Sequence, residues 1–111
     1  MKKIILFSLV SLIAGAVSLH AADAKENWEK NCAKCHGPDG KGDTKMGQKL
    51  GVKDYTSAKV QEGMKDEEMT KAVKEGVKEK DSDKVKMKAF GETFSADEIK
   101  ALVAYVRGLK K

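Results

Sequence analysis

Two cysteines and a histidine form the group of residues whose spacing indicates the most specific chemistry. They lie in Cys32-Ala33-Lys34-Cys35-His36, a C-x-x-C-H motif, which is the attachment signature for covalent haem. Two thiols three residues apart near a helix end can each add to one of the two vinyl groups on a haem edge, and the next residue then places an imidazole under the iron. The motif therefore predicts one covalently bound haem c, with thioether bonds from Cys32 and Cys35 and with His36 as an axial iron ligand.

Three other roles compete for this segment. A Cys32–Cys35 disulfide would close a very small loop and stabilise the fold little. A thioredoxin-type dithiol is expected near a βαβ pattern, and the chain has no run that predicts strands. A zinc site would have three ligands here and no evident fourth, because His20, the other histidine, lies in a segment expected to be removed. Haem is the favoured interpretation, and a haem-free dithiol oxidoreductase stays as an alternative.

The N-terminal residues have the three parts of a secretory signal peptide. Two lysines precede an apolar run over residues 4–19, and small residues follow it. We expect residues 1–24 to be a signal peptide that is cleaved after Ala21 or Ala24, leaving a domain over residues 25–111 in the periplasm. The apolar run is shorter than the ~20 residues that a spanning helix needs, so an uncleaved anchor is the weaker interpretation.

The composition limits what the remaining domain can be. The whole chain has 111 residues, of which 41% are hydrophobic and 35% charged, and much of the apolar content lies in the N-terminal run. A domain this small and this polar usually needs a disulfide, a metal or a cofactor for stability, and it argues against a large enzyme with a deep pocket. The net charge is +5, but lysines alternate with acidic residues, which together with export argues against nucleic-acid binding.

The periodicity of apolar residues predicts an all-α domain with three main helices joined by long loops. The first helix covers residues 25–35 and stops at Gly37. The second starts near Asp66 and ends near Gly76, and the third follows a capping box that starts at Ser95. The buried face of the third helix is predicted to comprise Ile99, Leu102, Val103 and Val106.

The segments between these helices are predicted to be mostly irregular. A long loop runs through Met46 and Leu50, Ser57 caps a short turn, and residues 77–86 form a charged connector. No apolar and polar alternation is long enough to predict a strand. Loops this long are unusual in a compact domain unless they are functional, so we expect a bound group to organise them.

Three segments of the chain share the spacing of a known family. They are C-x-x-C-H-G near the start of the domain, Met87-Lys88-Ala89-Phe90-Gly91, and the closing helix with L-V-A-Y-V-R-G-L. Together they resemble the small monohaem class I cytochromes c of bacteria, over essentially all of residues 25–111. The resemblance implies the class I cytochrome c fold, with three main helices and long loops around one haem, and a carrier of single electrons that is not an enzyme.

The resemblance also implies a methionine thioether on the iron face opposite His36. We assign Met87, because it lies in an irregular segment before the last helix and precedes Lys88-Ala89-Phe90-Gly91, as in the ligand loop of the family. Thioether is a soft, neutral ligand that raises the reduction potential. A haem-based sensor or gas-binding domain, in which Met87 leaves the iron readily, is the alternative. The other methionines, for which core or loop roles are simpler, are Met46, Met64 and Met69.

Lysines flank both assigned iron ligands. A lysine ring around an exposed haem edge would steer a redox partner with an acidic docking surface, while general solubility is the simpler explanation. The resemblance implies partners in a respiratory or photosynthetic chain, no stable membrane insertion after cleavage, and a monomer. The lysines concerned are Lys34, Lys41, Lys45, Lys49, Lys84, Lys86 and Lys88.

Two positions depart from the pattern of the family. Many relatives have a proline downstream of the motif whose carbonyl accepts the histidine ring N–H, whereas the only proline here is Pro38, directly after His36-Gly37. The glycine usual at the crossing of the first and last helices is replaced by Ala24. We therefore expect a wider crossing that Trp28 fills against Tyr105.

Overall fold

Helices dominate the part of the chain that the structure describes. The computed structural model describes the backbone of residues 16–111 and the side chains of residues 23–111; residues 1–15 of the predicted signal peptide lie outside this range. The elements are α1 Ala16–Asn31, α2 Ala33–His36, α3 Lys45–Leu50, α4 Ala58–Glu62, α5 Asp66–Glu75, β1 Val77–Lys78, β2 Val85–Met87 and α6 Ala96–Arg107.

Three of these helices form the frame of the domain. Helix α6 packs against both α1 and α5, which confirms the prediction of an all-α domain with three main helices. The buried residues at their contacts make one hydrophobic core, and each large side chain that leaves water there contributes about 1.5–3 kcal/mol. The core cluster comprises Trp28, Phe90, Phe94, Ile99, Leu102 and Val106.

The crossing of α1 and α6 is filled in the predicted way. Ala24 is 2% exposed and Trp28 is 3% exposed. The Trp28 ring lies 5.6 Å from the Tyr105 ring, at a tilt of 43°. The Asn27 amide also donates a 3.5 Å hydrogen bond to Glu98 across the same contact. The aromatic pair therefore occupies the space beside the small residue.

Helix α6 begins at the predicted capping box. The Ser95 hydroxyl accepts a 3.2 Å hydrogen bond from the Glu98 backbone N–H, and the Glu98 carboxylate accepts one of 2.9 Å from the Ser95 N–H. Two donors that the helix leaves free at its first turn are satisfied in this way. The predicted inner face is confirmed, because Ile99, Leu102, Val103 and Val106 are all buried.

The first predicted helix is divided in the structure. Helix α1 ends at Asn31, Cys32 forms a turn, and the short α2 follows. The prediction of one continuous helix over residues 25–35 was therefore wrong at both ends, because α1 also begins earlier, at Ala16. The stop at Gly37 is confirmed, and its φ of 85° lies in a region that glycine adopts without the steric cost of a Cβ atom.

Two stretches predicted to be irregular contain regular structure. The first includes α3, whose first turn is capped by the Thr44 hydroxyl, which accepts a 2.9 Å hydrogen bond from the Gly47 N–H. The second is an antiparallel hairpin in which Val77 pairs with Met87 and Lys78 pairs with Val85. Strands of two and three residues are too short to show a periodicity of two, which is why the sequence did not predict them.

Candidate functional site

The cysteine motif occupies the junction between α1 and α2. Helical hydrogen bonds to the Cys32 carbonyl come from the Cys35 N–H at 3.2 Å and from the His36 N–H at 3.0 Å. Both thiols are unpaired and half-buried, and Cys32 packs against the hydrophobic core. Burial, with a smaller contribution from Cys35, raises the pKa of Cys32 to about 11, so this thiol is protonated at neutral pH.

Aromatic side chains surround the imidazole of the motif. The His36 ring stacks on Tyr55, with the ring centres 5.2 Å apart and an interplanar angle of 28°. It also lies 5.6 Å from the Trp28 ring. Burial lowers the pKa of His36, which favours the neutral imidazole, the form that ligates metals. The sequence did not indicate Tyr55, because it is separated from the motif by a loop.

One nitrogen of this imidazole has no partner within the described chain. His36 Nδ1 is buried and makes no hydrogen bond to residues 23–111. The Pro38 carbonyl does not accept from it, in line with the departure from the family pattern. The nearby Gly37 carbonyl instead accepts a 3.1 Å hydrogen bond from the Trp28 indole N–H. Buried polar groups without partners are rare in folded proteins, and at this nitrogen the chain lacks the carbonyl acceptor that the family pattern has.

A second layer of contacts holds the motif in place. The Thr44 hydroxyl donates a 2.5 Å hydrogen bond to the Cys35 carbonyl, and the Gly42 N–H donates one of 2.8 Å to the His36 carbonyl. Gly47 is buried, and a Cβ atom there would overlap the Cys35 carbonyl oxygen. Sequence reasoning missed Thr44, although a threonine directly before a helical segment is a recognisable N-cap signal.

Met87 lies in β2, half-buried, and packs against the same hydrophobic core as Cys32. Met64 and Met69 also pack against that core, whereas Met46 is 39% exposed. Burial thus separates Met46 from the other methionines, and the assignment of Met87 among them continues to rest on its place in the sequence.

The fold and this arrangement agree with known proteins. A family described as cytochrome C oxidase, cbb3-type, subunit III matches residues 20–106. A solved structure of the KustC0563 c-type cytochrome is 34% identical, covers 79% of this chain and 98% of its own, and has a TM-score of 0.69. The chain belongs to the small monohaem cytochrome c family. A solved mutant of the same cytochrome is also 34% identical, covers 79% of this chain and 99% of its own, and has a TM-score of 0.67. No curated protein matches the chain.

Membership of this family means one covalently bound haem c and a class I cytochrome c fold. The residues present fit such a group. Two thiols free of a disulfide lie within one helical turn of a half-buried imidazole, which is the donor set that covalent haem requires. No large side chain in residues 23–111 is completely buried, so the hydrophobic core is thin without a further apolar group.

The other roles considered for the motif find little support in the fold. Among residues 23–111, no cluster of His, Cys, Asp or Glu side chains is arranged to hold a metal ion by itself, as a structural zinc site requires. The strands described in residues 16–111 are a single antiparallel pair, which differs from the βαβ unit expected around a thioredoxin-type dithiol.

Proposed function

We propose that this cytochrome c carries single electrons between redox proteins in the periplasm. The observation that carries the proposal is that two unpaired thiols lie within one helical turn of the half-buried His36 imidazole, while Cys32 and the half-buried Met87 thioether pack against the same hydrophobic core. When bound, haem c supplies an iron that changes by one electron. An iron with two protein ligands has no open site for a substrate, so the protein has no turnover of its own.

Each residue of the site has a distinct part. Cys32 and Cys35 attach the haem covalently, and His36 and Met87 are the axial ligands of its iron. Trp28 and Tyr55 restrict the tilt of the imidazole through ring contacts at 5.6 and 5.2 Å. Neutral thioether favours the reduced iron and raises the reduction potential. The apolar core next to Cys32 and Met87 keeps water away and acts in the same direction.

Absorption spectra of the holoprotein in both oxidation states test the ligand assignment. Wild type is expected to show covalent haem and a weak band at the red end of the oxidised spectrum, from thioether ligation. Met87→Ala should lose this band and lower the reduction potential, whereas Met46→Ala, at an exposed methionine, should change neither. Retention of the band in Met87→Ala would rule out Met87 as the ligand.

The same preparations distinguish a carrier from a sensor. Carbon monoxide should leave the reduced spectrum of the wild-type carrier unchanged at neutral pH, because Met87 holds the sixth position. A spectrum that changes with carbon monoxide in the wild type would instead establish the gas-binding alternative. A colourless exported protein with a titratable Cys32–Cys35 pair would establish the dithiol oxidoreductase.

We also propose that the protein is exported with a cleaved signal peptide and that cleavage follows Ala21. Ala24 lies in the middle of α1, one turn before Trp28, and is 2% exposed, whereas Lys25 is exposed. Cleavage after Ala24 would remove a buried residue from the fold. Within residues 16–111, no helix combines the length and apolar character needed to span a membrane. Intact mass and N-terminal sequencing of the exported holoprotein should give Ala22 as the first residue; Lys25 would contradict the assignment.

Lysines near the motif and the hairpin favour a partner with an acidic docking surface. Lys34, Lys45 and Lys49 are exposed beside the motif, and Lys84 and Lys88 are exposed around Met87. Positive charge around the site would attract an acidic surface over distances set by the Debye length, about 10 Å at 0.1 M ionic strength. Electron-transfer rates with an acidic partner should fall as ionic strength rises, and a flat response would remove the steering role.

A further inference from the structure

Gly76 lies where the end of α5 touches the backbone of the segment that contains Met87. We propose that Gly76 is a positioning residue for this segment, because only a residue without a side chain lets the helix end approach it so closely. The inference rests on the proposed role of Met87 as an iron ligand, and it adds a residue outside the haem motif that determines whether the ligand can reach the iron.

The backbone at Gly76 and its surroundings both exclude a side chain. Its φ is 77° and its ψ is −179°, a combination that is essentially restricted to glycine. A Cβ atom there would lie 2.6 Å from the Met87 carbonyl oxygen, 2.8 Å from the Ala89 nitrogen and 3.0 Å from the Lys88 carbonyl carbon. All three are backbone atoms, so no side-chain rotation relieves the overlap and the segment itself would have to move.

Hydrogen bonds join the same helix end to the residues after Met87. The Phe90 N–H donates to the Val73 carbonyl at 2.8 Å, and the Gly91 N–H donates to the Lys74 carbonyl at 3.1 Å. These carbonyls belong to the last turn of α5, where a helix has no internal donors left for them. The ligand segment therefore caps the helix, and the helix in turn fixes the segment.

The hairpin fixes the other side of the segment. Val77, the residue after Gly76, pairs with Met87 across the two strands, and the Gly76 N–H donates a 2.8 Å hydrogen bond to the Ala72 carbonyl at the end of α5. Gly76 is thus the link between the helix and the strand that bracket Met87. A displacement at this link moves the methionine relative to the core, whereas the cysteine motif lies on other elements, at the junction of α1 and α2.

The consequence is specific to the distal ligand. A side chain at position 76 should leave the covalent haem and His36 in place and should weaken or break thioether ligation by Met87. The expected signs are a large loss of the red band of the oxidised protein, a lower reduction potential and binding of carbon monoxide to the reduced protein at neutral pH.

The test compares Gly76→Ala with a control that has the same sign of φ. Gly51 has a φ of 67°, and a Cβ atom there would meet no atom within 4 Å. Gly51→Ala should therefore lose some stability and keep the red band, the potential and the insensitivity to carbon monoxide. Far-UV circular dichroism and intact mass verify that each variant is folded and carries its haem.

A second variant keeps the inference testable if Gly76→Ala does not fold. Gly91 does not have a positive φ, and a Cβ atom there would lie 2.8 Å from the Lys74 carbonyl oxygen. Gly91→Ala thus displaces the same segment without backbone strain, and it should lose part of the red band. If Gly76→Ala folds and its red band and reduction potential equal those of wild type, the inference is overturned. If Gly76→Ala does not fold, the same result in Gly91→Ala overturns it.

Met87→Ala shows whether a negative result comes from the positioning role of Gly76 or from the assignment of Met87 as the ligand. If Met87→Ala loses the band and the glycine variants keep it, Met87 is the ligand and Gly76 does not position it. If Met87→Ala keeps the band, the ligand assignment itself is wrong and the role of Gly76 falls with it. Loss of the band in Met87→Ala and Gly76→Ala, with retention in Gly51→Ala, supports both.

Discussion

Replacement of Gln61 by leucine should destabilise this domain more than its small change in volume suggests. Gln61 is 5% exposed, the one buried polar side chain among residues 23–111. Its amide donates 2.7 Å hydrogen bonds to the carbonyls of Tyr55 and Val106. It therefore connects α4 to the end of α6 and to the loop whose tyrosine stacks on His36.

The magnitude follows from what each carbonyl loses. The Val106 carbonyl also accepts from the Leu109 N–H at 3.1 Å, so Gln61→Leu costs it one ordinary hydrogen bond, about 0.5–1.5 kcal/mol. The Tyr55 carbonyl has no other donor among residues 16–111, so it is left unsatisfied at a cost of about 1–3 kcal/mol. Burial of the leucine side chain offsets part of this loss. We expect a net loss of about 2 kcal/mol, a large fraction of the stability of a small domain.

Urea denaturation of the holoprotein, followed by far-UV circular dichroism, measures this loss. Gln48→Leu is the matched control, because its amide donates a single 3.2 Å hydrogen bond at an exposed position and its replacement should change stability by less than about 0.5 kcal/mol. Equal midpoints for the two variants would refute the reasoning, since they would mean that the half-buried carbonyl of Tyr55 finds another partner at no cost.

Four further substitutions probe the capping box of α6 and the residues that support the motif. Ser95→Ala should cost about 1 kcal/mol in urea denaturation. Hydrogen bonds from Ser95 lower the pKa of Glu98. The stabilisation by this carboxylate is therefore present above its ordinary pKa and is lost as pH falls through the lowered value. If the difference in stability between wild type and Glu98→Gln stayed constant across that pH range, this would be contradicted. Gly47→Ala should lower the free energy of unfolding by about 1–3 kcal/mol and reduce haem attachment in intact-mass measurements, because the added carbon overlaps the Cys35 carbonyl. Full attachment and unchanged stability would show that α3 shifts freely and would contradict this. Trp28→Phe removes a 3.1 Å indole hydrogen bond to a buried carbonyl and should cost about 1–3 kcal/mol in denaturation; a smaller change than Gln48→Leu would contradict that.

Local signals in the sequence were sufficient for α6 and for the start of α5. The Ser95 capping box, the apolar face from Ile99 to Val106 and the start of α5 at Asp66 were all predicted and are found in the structure. Each depends on residues within one or two helical turns of one another, and interactions at that range are similar in most folds.

Short elements held by distant contacts were not predicted. Helix α3 follows from the Thr44 cap, but its position depends on Gly47 lying against the cysteine motif. The hairpin of β1 and β2 exists because α5 ends at Gly76 and its last carbonyls accept hydrogen bonds from Phe90 and Gly91. None of these pairings leaves a periodic pattern in the sequence.

The sequence by itself determined the chemistry of this cytochrome, because C-x-x-C-H brings the two thiols and the imidazole together within a single helical turn. Tertiary structure decided the surroundings of that chemistry: the aromatic rings of Trp28 and Tyr55 on His36, and the approach of Gly76 to the backbone beyond Met87. The physical reason is the distance along the chain between the residues that interact. Attachment geometry depends on neighbours along the chain, whereas the packing around an imidazole and the position of a methionine depend on segments that meet only when the helices pack.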